Sequence, residues 1–129
     1  MYPDQLRYTK EHEWAERDGN RVRIGITHFA QDSLGDIVYV DIPAPGTQVT
    51  SGKPFGEVES TKSVSDLYAP VSGVVVERNG SLDEAPELVN QDPYGKGWMV
   101  TIDPSSPEEL DALLSAADYK AFVEAEASH

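Results

Sequence analysis

The sequence predicts a mainly β fold, a barrel-sandwich hybrid of two small sheets, with short helices only after Thr27 and at the C-terminus. Three observations lead there. Short runs of alternating apolar and polar residues recur along the chain, the pattern of strands buried on one face. Turn signals separate them, at Asp18-Gly19-Asn20, Pro43 to Gly46, Pro70 to Gly73 and Asn79-Gly80. Helix-start chemistry stands at Thr27, before His28-Phe29-Ala30, and at Ser106, before Pro107 with Glu109 three residues on.

Taken in order, Arg7 to Trp14 reads as a short first strand with its flanks. Arg21 to Ile26 follows the Gly19 turn, and its alternation puts Val22, Ile24 and Ile26 on one face. Thr27 caps one or two helical turns through Leu34, and Gly35 ends them. Ile37 to Ile42 is the clearest strand, and Thr47 to Val49 resumes briefly after Pro43, Pro45 and Gly46. Phe55 to Glu59 and the run from Val64 to Val71 form two strands joined by a tight hairpin. Gly73 to Arg78 is a further strand, Asn79-Gly80 a turn, and Trp98 to Ile102 the last strand. Ser106, Pro107 and Glu109 make a capping box, after which Leu110, Leu113 and Leu114 share a helical face. Ser115 restarts a helix at Ala116 that turns Tyr119 and Phe122 to the core. Gly35 to Val40 echoes Ser72 to Glu77, either by chance or as two half-sheets around one core with Lys62 at their crossover.

The bulk numbers bound the function. A chain of 129 residues makes one domain, 1–129, large enough to bury a core unaided. No cysteine is present, which excludes disulfide scaffolds, thiolate metal sites and a cysteine nucleophile. Ten Lys and Arg stand against 23 Asp and Glu, a formal charge of −13. That surface repels nucleic acid and anionic membrane and favours basic patches on protein partners, or serves solubility alone. No apolar run approaches the roughly 20 residues of a membrane span, and no signal or transit character marks the N-terminus. The expectation is a soluble cytoplasmic protein of bacterial type. Nucleophile elbow, P-loop and GxGxxG are all missing, so a stand-alone enzyme is not expected.

The chemistry centres on Lys62. It lies between two alternating runs, flanked by small hydroxyl residues in Glu59-Ser60-Thr61-Lys62-Ser63-Val64-Ser65-Asp66, ahead of Ala69-Pro70-Val71-Ser72-Gly73. A lysine at a hairpin tip has its ammonium in water and its backbone held from below, as a modifying enzyme or a swinging prosthetic arm requires. This string resembles the attachment hairpin of lipoyl-carrying domains. Biotin-carrying domains share the fold but usually place methionines beside the lysine, where this chain has Thr61 and Ser63.

Three further blocks narrow the resemblance. They are Tyr8-Thr9-Lys10-Glu11-His12-Glu13-Trp14, then Gly25-Ile26-Thr27 leading into Ala30 to Val38, then Pro86 to Asn90 before Asp92-Pro93-Tyr94-Gly95-Lys96-Gly97-Trp98-Met99. With the lysine hairpin and the Ser-Pro-Glu-Glu-Leu segment they resemble the H proteins of the glycine cleavage system, from about Leu6 to Phe122. The resemblance implies a lipoyl-binding core at about 21–103 and C-terminal helices at about 106–125. It implies lipoate held as an amide on Lys62, attached by a lipoate ligase or lipoyl transferase. It also implies three partners: a PLP-dependent glycine decarboxylase, a tetrahydrofolate-dependent aminomethyltransferase and dihydrolipoyl dehydrogenase.

At residue level, Glu59, Ser60, Thr61 and Ser63 are candidates for the surface read by the lipoylating enzyme, or else ordinary solvated turn residues. Glu13 and Asp66 are candidate carboxylates of a cleft for the loaded arm, or simply two acids among 23. Trp14 and Trp98 are expected in or near the core, and His12 and His28 lack a third partner at metal-ligand spacing. Two other readings stay open: a relay protein that hands lipoate to other enzymes, and an unmodified acidic interaction module. A gain of one lipoyl mass separates the carriers from the module.

Overall fold

The computed structural model describes residues 2–127, so Met1, Ser128 and His129 of the expected 1–129 domain lie outside it. Nine strands, all paired antiparallel, form two sheets. The larger has the order β1-β2-β3-β9-β8-β5, from Arg7–Tyr8 (β1), Glu13–Asp18 (β2), Arg21–Ile26 (β3), Val100–Pro104 (β9), Gly73–Arg78 (β8) and Gln48–Val49 (β5). The smaller has the order β4-β6-β7, from Ile37–Asp41, Pro54–Ser60 and Val64–Tyr68. Between them lies the main core, with Ile24, Val58, Val71, Met99, Val100 and Ile102 at most 0 % exposed. This is the sandwich that the alternating runs predict, and the sheets do not close on each other.

The larger sheet is covered on its second face only toward β1–β3, since Gln48, Val74 and Glu77 of β5 and β8 are exposed. Its second face carries Tyr8, Trp14, Tyr119 and Val123, a cluster closed by the C-terminal helix Ala116–Ala127 (α4). Tyr8 stacks on Tyr119 with ring centroids 4.7 Å apart. Gly25 sits opposite Trp14, and a Cβ there would stand 2.7 Å from the indole, so the missing side chain seats the ring. Both expected core aromatics of α4 are found there, Tyr119 buried and Phe122 packed at the edge.

Several expectations need correction. Arg7 to Trp14 is two strands folded back on each other, pairing Tyr8 with Trp14. The reversal runs through His12 at φ 76°, without the Gly or Pro that announces most turns. Helix is also not confined to the two expected places. Ser81–Glu84 (α2) and Leu88–Gln91 (α3) are single turns, too short to show a 3.6-residue period, that drop Leu82 and Val89 into the core. Ser106 makes no side-chain cap, and Pro107–Ala112 is a 3-10 helix. The Glu109 carboxylate instead accepts the Ser72 N–H at 2.8 Å. Leu114 leaves the helical face to bridge Tyr8, exchanging backbone bonds of 2.8 and 2.9 Å. The two echoing segments do fall in different sheets, as β8 and β4, yet Lys62 joins β6 to β7 within one sheet and marks no crossover between them.

Among the described residues no helix is long and apolar enough to cross a membrane.

Candidate functional site

The β6–β7 hairpin is tied at its tip by one side chain. Ser60, buried at 6 % exposure, accepts the backbone N–H groups of Lys62 and Ser63 on its hydroxyl oxygen, both at 3.1 Å. The Ser60 N–H donates to the Ser63 carbonyl at 2.8 Å, closing the turn. Thr61, Lys62 and Ser63 stand exposed above it. Of the four hairpin residues expected to face a lipoylating enzyme, Glu59, Thr61 and Ser63 do face solvent. Ser60 is turned inward and positions the others.

A helix of seven residues supports the hairpin from the side. In His28–Leu34 (α1) the Thr27 hydroxyl accepts the Ala30 N–H at 3.2 Å, and Gly35 takes φ 83° to end the helix, as the sequence predicts. The Lys62 stem lies against Gly35, with its Cε 3.1 Å from where a Cβ would be. Asp36 then accepts the Thr61 N–H on its carbonyl at 3.0 Å. Asn90 of α3 braces this corner, donating to Gly35 and Gln31 and accepting the Ile37 N–H at 2.9 Å. Sequence reasoning missed the role of Asn90, because its partners lie 53 to 59 residues away.

Glu13 lies at the far end of β7. It is 2 % exposed; its carboxyl accepts from Thr9 Oγ1 at 2.6 Å and from the Tyr68 N–H at 3.1 Å, and its own N–H donates to Thr9 Oγ1 at 3.0 Å. Burial pushes its carboxyl up to about 7, against those hydrogen bonds, which pull the other way. No cation pairs with it among the described residues. Asp66 lies on β7 two residues before Tyr68, exposed, and opposite Glu57. The two carboxylates thus border the same strand in unlike settings, one buried and one in water.

His12 is engaged within the fold. Its Nδ1 lies 2.8 Å from the Tyr119 hydroxyl and its Nε2 3.1 Å from Glu126, while Tyr119 also reaches Thr27 Oγ1 at 2.7 Å. Burial lowers its pKa against the pull of Glu126. Trp14 is buried with its indole N–H on the Pro93 carbonyl at 3.0 Å, and Trp98 lies under the Arg23 guanidinium, 4.8 Å from ring centroid to Cζ.

The sequence model of the glycine cleavage H-protein family matches residues 6–126. The chain belongs to the glycine cleavage H-protein family. It is 59 % identical over 122 residues to the glycine cleavage system H protein of Anaeromyxobacter sp. strain K, covering 95 % of each chain. The H protein of Geobacillus thermodenitrificans is 56 % identical over 121 residues, covering 94 % of this chain and 95 % of its own. The crystal structure of an H protein from Mycobacterium marinum superposes with a TM-score of 0.85 at 42 % identity, covering 92 % of this chain and 96 % of its own. H proteins are lipoyl-bearing carrier subunits, which agrees with a site built for presentation.

Proposed function

We propose that this chain is the lipoylated carrier of a glycine cleavage system, with lipoate held as an amide on Lys62 and no catalysis of its own. It carries the aminomethyl group of glycine from a PLP-dependent decarboxylase to a tetrahydrofolate-dependent aminomethyltransferase, and dihydrolipoyl dehydrogenase then reoxidises it. We place it in the cytoplasm as one domain, with its bacterial relatives as support. The observation that carries the reading is Lys62 at the exposed tip of a turn locked by Ser60, in a chain that the H-protein family model matches over residues 6–126.

The residues present fit the group. Lys62 makes no ion pair among the described residues, so neutralising it as an amide breaks nothing in the fold. When bound, lipoate supplies a disulfide that is reduced as the cargo is taken up. The chain supplies a path along which the arm can lie. β7 begins beside Lys62 and reaches Glu13 at Tyr68, a span of roughly 13 Å at the usual rise of a strand. α1 spans the same two ends, from Thr27, whose N–H donates to the His12 carbonyl at 3.0 Å, to Gly35 against the Lys62 stem. Glu13 and Asp66 are then the carboxylates of the docked arm. A cationic amine arriving beside Glu13 gives its carboxyl the counter-charge it lacks, and such a pair strengthens where water is excluded.

Intact mass after expression in lipoate-replete cells tests the reading. The parent protein gains one lipoyl group. Lys62→Arg gains none and unfolds within about 0.5 kcal/mol of the parent, as exposed turn substitutions do. A lipoyl group on Lys62→Arg would reject the assignment, since four other lysines are available.

A further inference from the structure

The outward face of the small sheet carries apolar side chains that the fold does not use. A β-bulge between β4 and β6 sets Ile37 against Ser60 and Tyr39 against Glu59, leaving Val38 as the extra residue. Because the bulge interrupts the alternation, Val38 and Tyr39 both face solvent, 48 % and 55 % exposed. Val64, opposite Glu59 on β7, is 57 % exposed. Tyr39, Glu59 and Val64 therefore form one rung across three strands, directly beneath the Lys62 turn, with Val38 at its edge. Single exposed apolar residues need no explanation, but three gathered about one rung do.

The next rung gives the patch its sign. Asp41 pairs with Glu57, and Glu57 with Asp66, so three exposed carboxylates stand abreast. Like charges opposite one another weaken a sheet, and no salt bridge relieves these among the described residues. The charge of Arg78 reaches Asp41, but its guanidinium is forked onto Asp83 at 2.6 and 2.8 Å. The two rungs lie roughly 7 Å apart, and each spans about 10 Å.

We propose that this face is the docking surface for the enzyme that acylates Lys62, an extension that rests on the carrier reading above. The geometry selects that occupant. An acylating enzyme must take the Lys62 amine itself into its active site, where the amine attacks the activated carboxyl, expels its leaving group and gives up a proton. Its surface therefore closes over whatever flanks the turn, which on β4, β6 and β7 is this patch. Enzymes that act on the far end of the arm need not close over the turn itself. The acylating enzyme presents an apolar recess to Tyr39 and Val64, and arginine or lysine side chains to Glu59 and the rung of Asp41, Glu57 and Asp66.

Apo-carrier, a lipoate–protein ligase, lipoate and ATP, followed by intact mass, provide the test. Tyr39→Ser combined with Val64→Ser is expected to raise the KM for carrier about tenfold or more with kcat within twofold, and to leave the thermal midpoint unchanged. A kcat/KM within twofold of the parent would overturn the apolar half. Asp41→Asn combined with Glu57→Gln is expected to flatten the fall of kcat/KM with salt, and an unchanged slope would overturn the charged half. The same variants, lipoylated to completion, are then assayed in glycine decarboxylation. A defect that appears only there assigns the face to another partner and overturns the proposal. A parent that gains no mass at all fails the carrier reading itself and takes this inference with it.

Discussion

Glu13 and Gly25 show how much single positions decide here. The neutral form of Glu13 is favoured in the fold, since burial raises its carboxyl from 4.5 to about 7. A raised carboxyl contributes stability that is full below about 4.5 and is lost as pH rises through about 7. Glu13→Gln keeps the neutral state at every pH, so its stability relative to the parent should improve between pH 4.5 and 8 by roughly 3 kcal/mol. Urea midpoints across that range measure it, and a difference that does not grow with pH would contradict the buried state of the residue. If Glu13 also shelters the cargo, loaded Glu13→Gln carrier should release ammonia and formaldehyde faster than loaded parent. Gly25→Ala brings a methyl 2.7 Å from a fully buried indole that cannot swing away, an overpacking of about 1–3 kcal/mol readable as a lower melting temperature.

At the scale of elements, the short helices act as braces. α3 exists to aim Asn90 at the end of α1 and the start of β4, the corner on which the lysine turn rests through Asp36. Asn90→Ala strands the Ile37 N–H and the Gly35 carbonyl and should cost about 1–3 kcal/mol. Hydrogen exchange should speed up at Thr61, whose N–H depends on that corner, and an unchanged rate there would separate the brace from the turn. α4 is fastened by Tyr119, whose hydroxyl stands between His12 and Thr27. His12 behaves oppositely to Glu13: its lowered pKa means stability present above about 6.5 and lost as pH falls through the folded value. The β1–β2 reversal was not legible because it turns through His12 without Gly or Pro, and the one-turn helices because they are too short to show a period, whereas the contact of Glu109 with Ser72 joins residues 37 apart. Thr27 and Gly35 were legible, because capping chemistry is local.

Over the whole molecule, charge dominates. A net −13 on 129 residues meets only three ion pairs among the described residues, one of them a histidine pair. Self-repulsion of that size is screened by salt, so raising NaCl from about 50 to 500 mM should raise the melting temperature by a few degrees. A flat or falling temperature would mean that the acids are spaced too widely to interact. The lipoylation proposed for Lys62 would remove one positive charge and make the chain one unit more acidic still.

The sequence by itself determined the β character, the lysine hairpin, the capped helix beside it and the family. All of these rest on local patterns: alternation, turn residues, caps and a string of contiguous motif residues. Only the tertiary structure decided that Ser60 faces inward to hold the turn while Glu59, Thr61 and Ser63 face out. It also decided that Glu13 is buried against Tyr68 whereas Asp66 is not, and that a bulge turns Val38 and Tyr39 to the solvent together. Those are facts of register and burial. A strand's sequence states which residues alternate, but the face each one takes is set by the partner strand and by what packs against it.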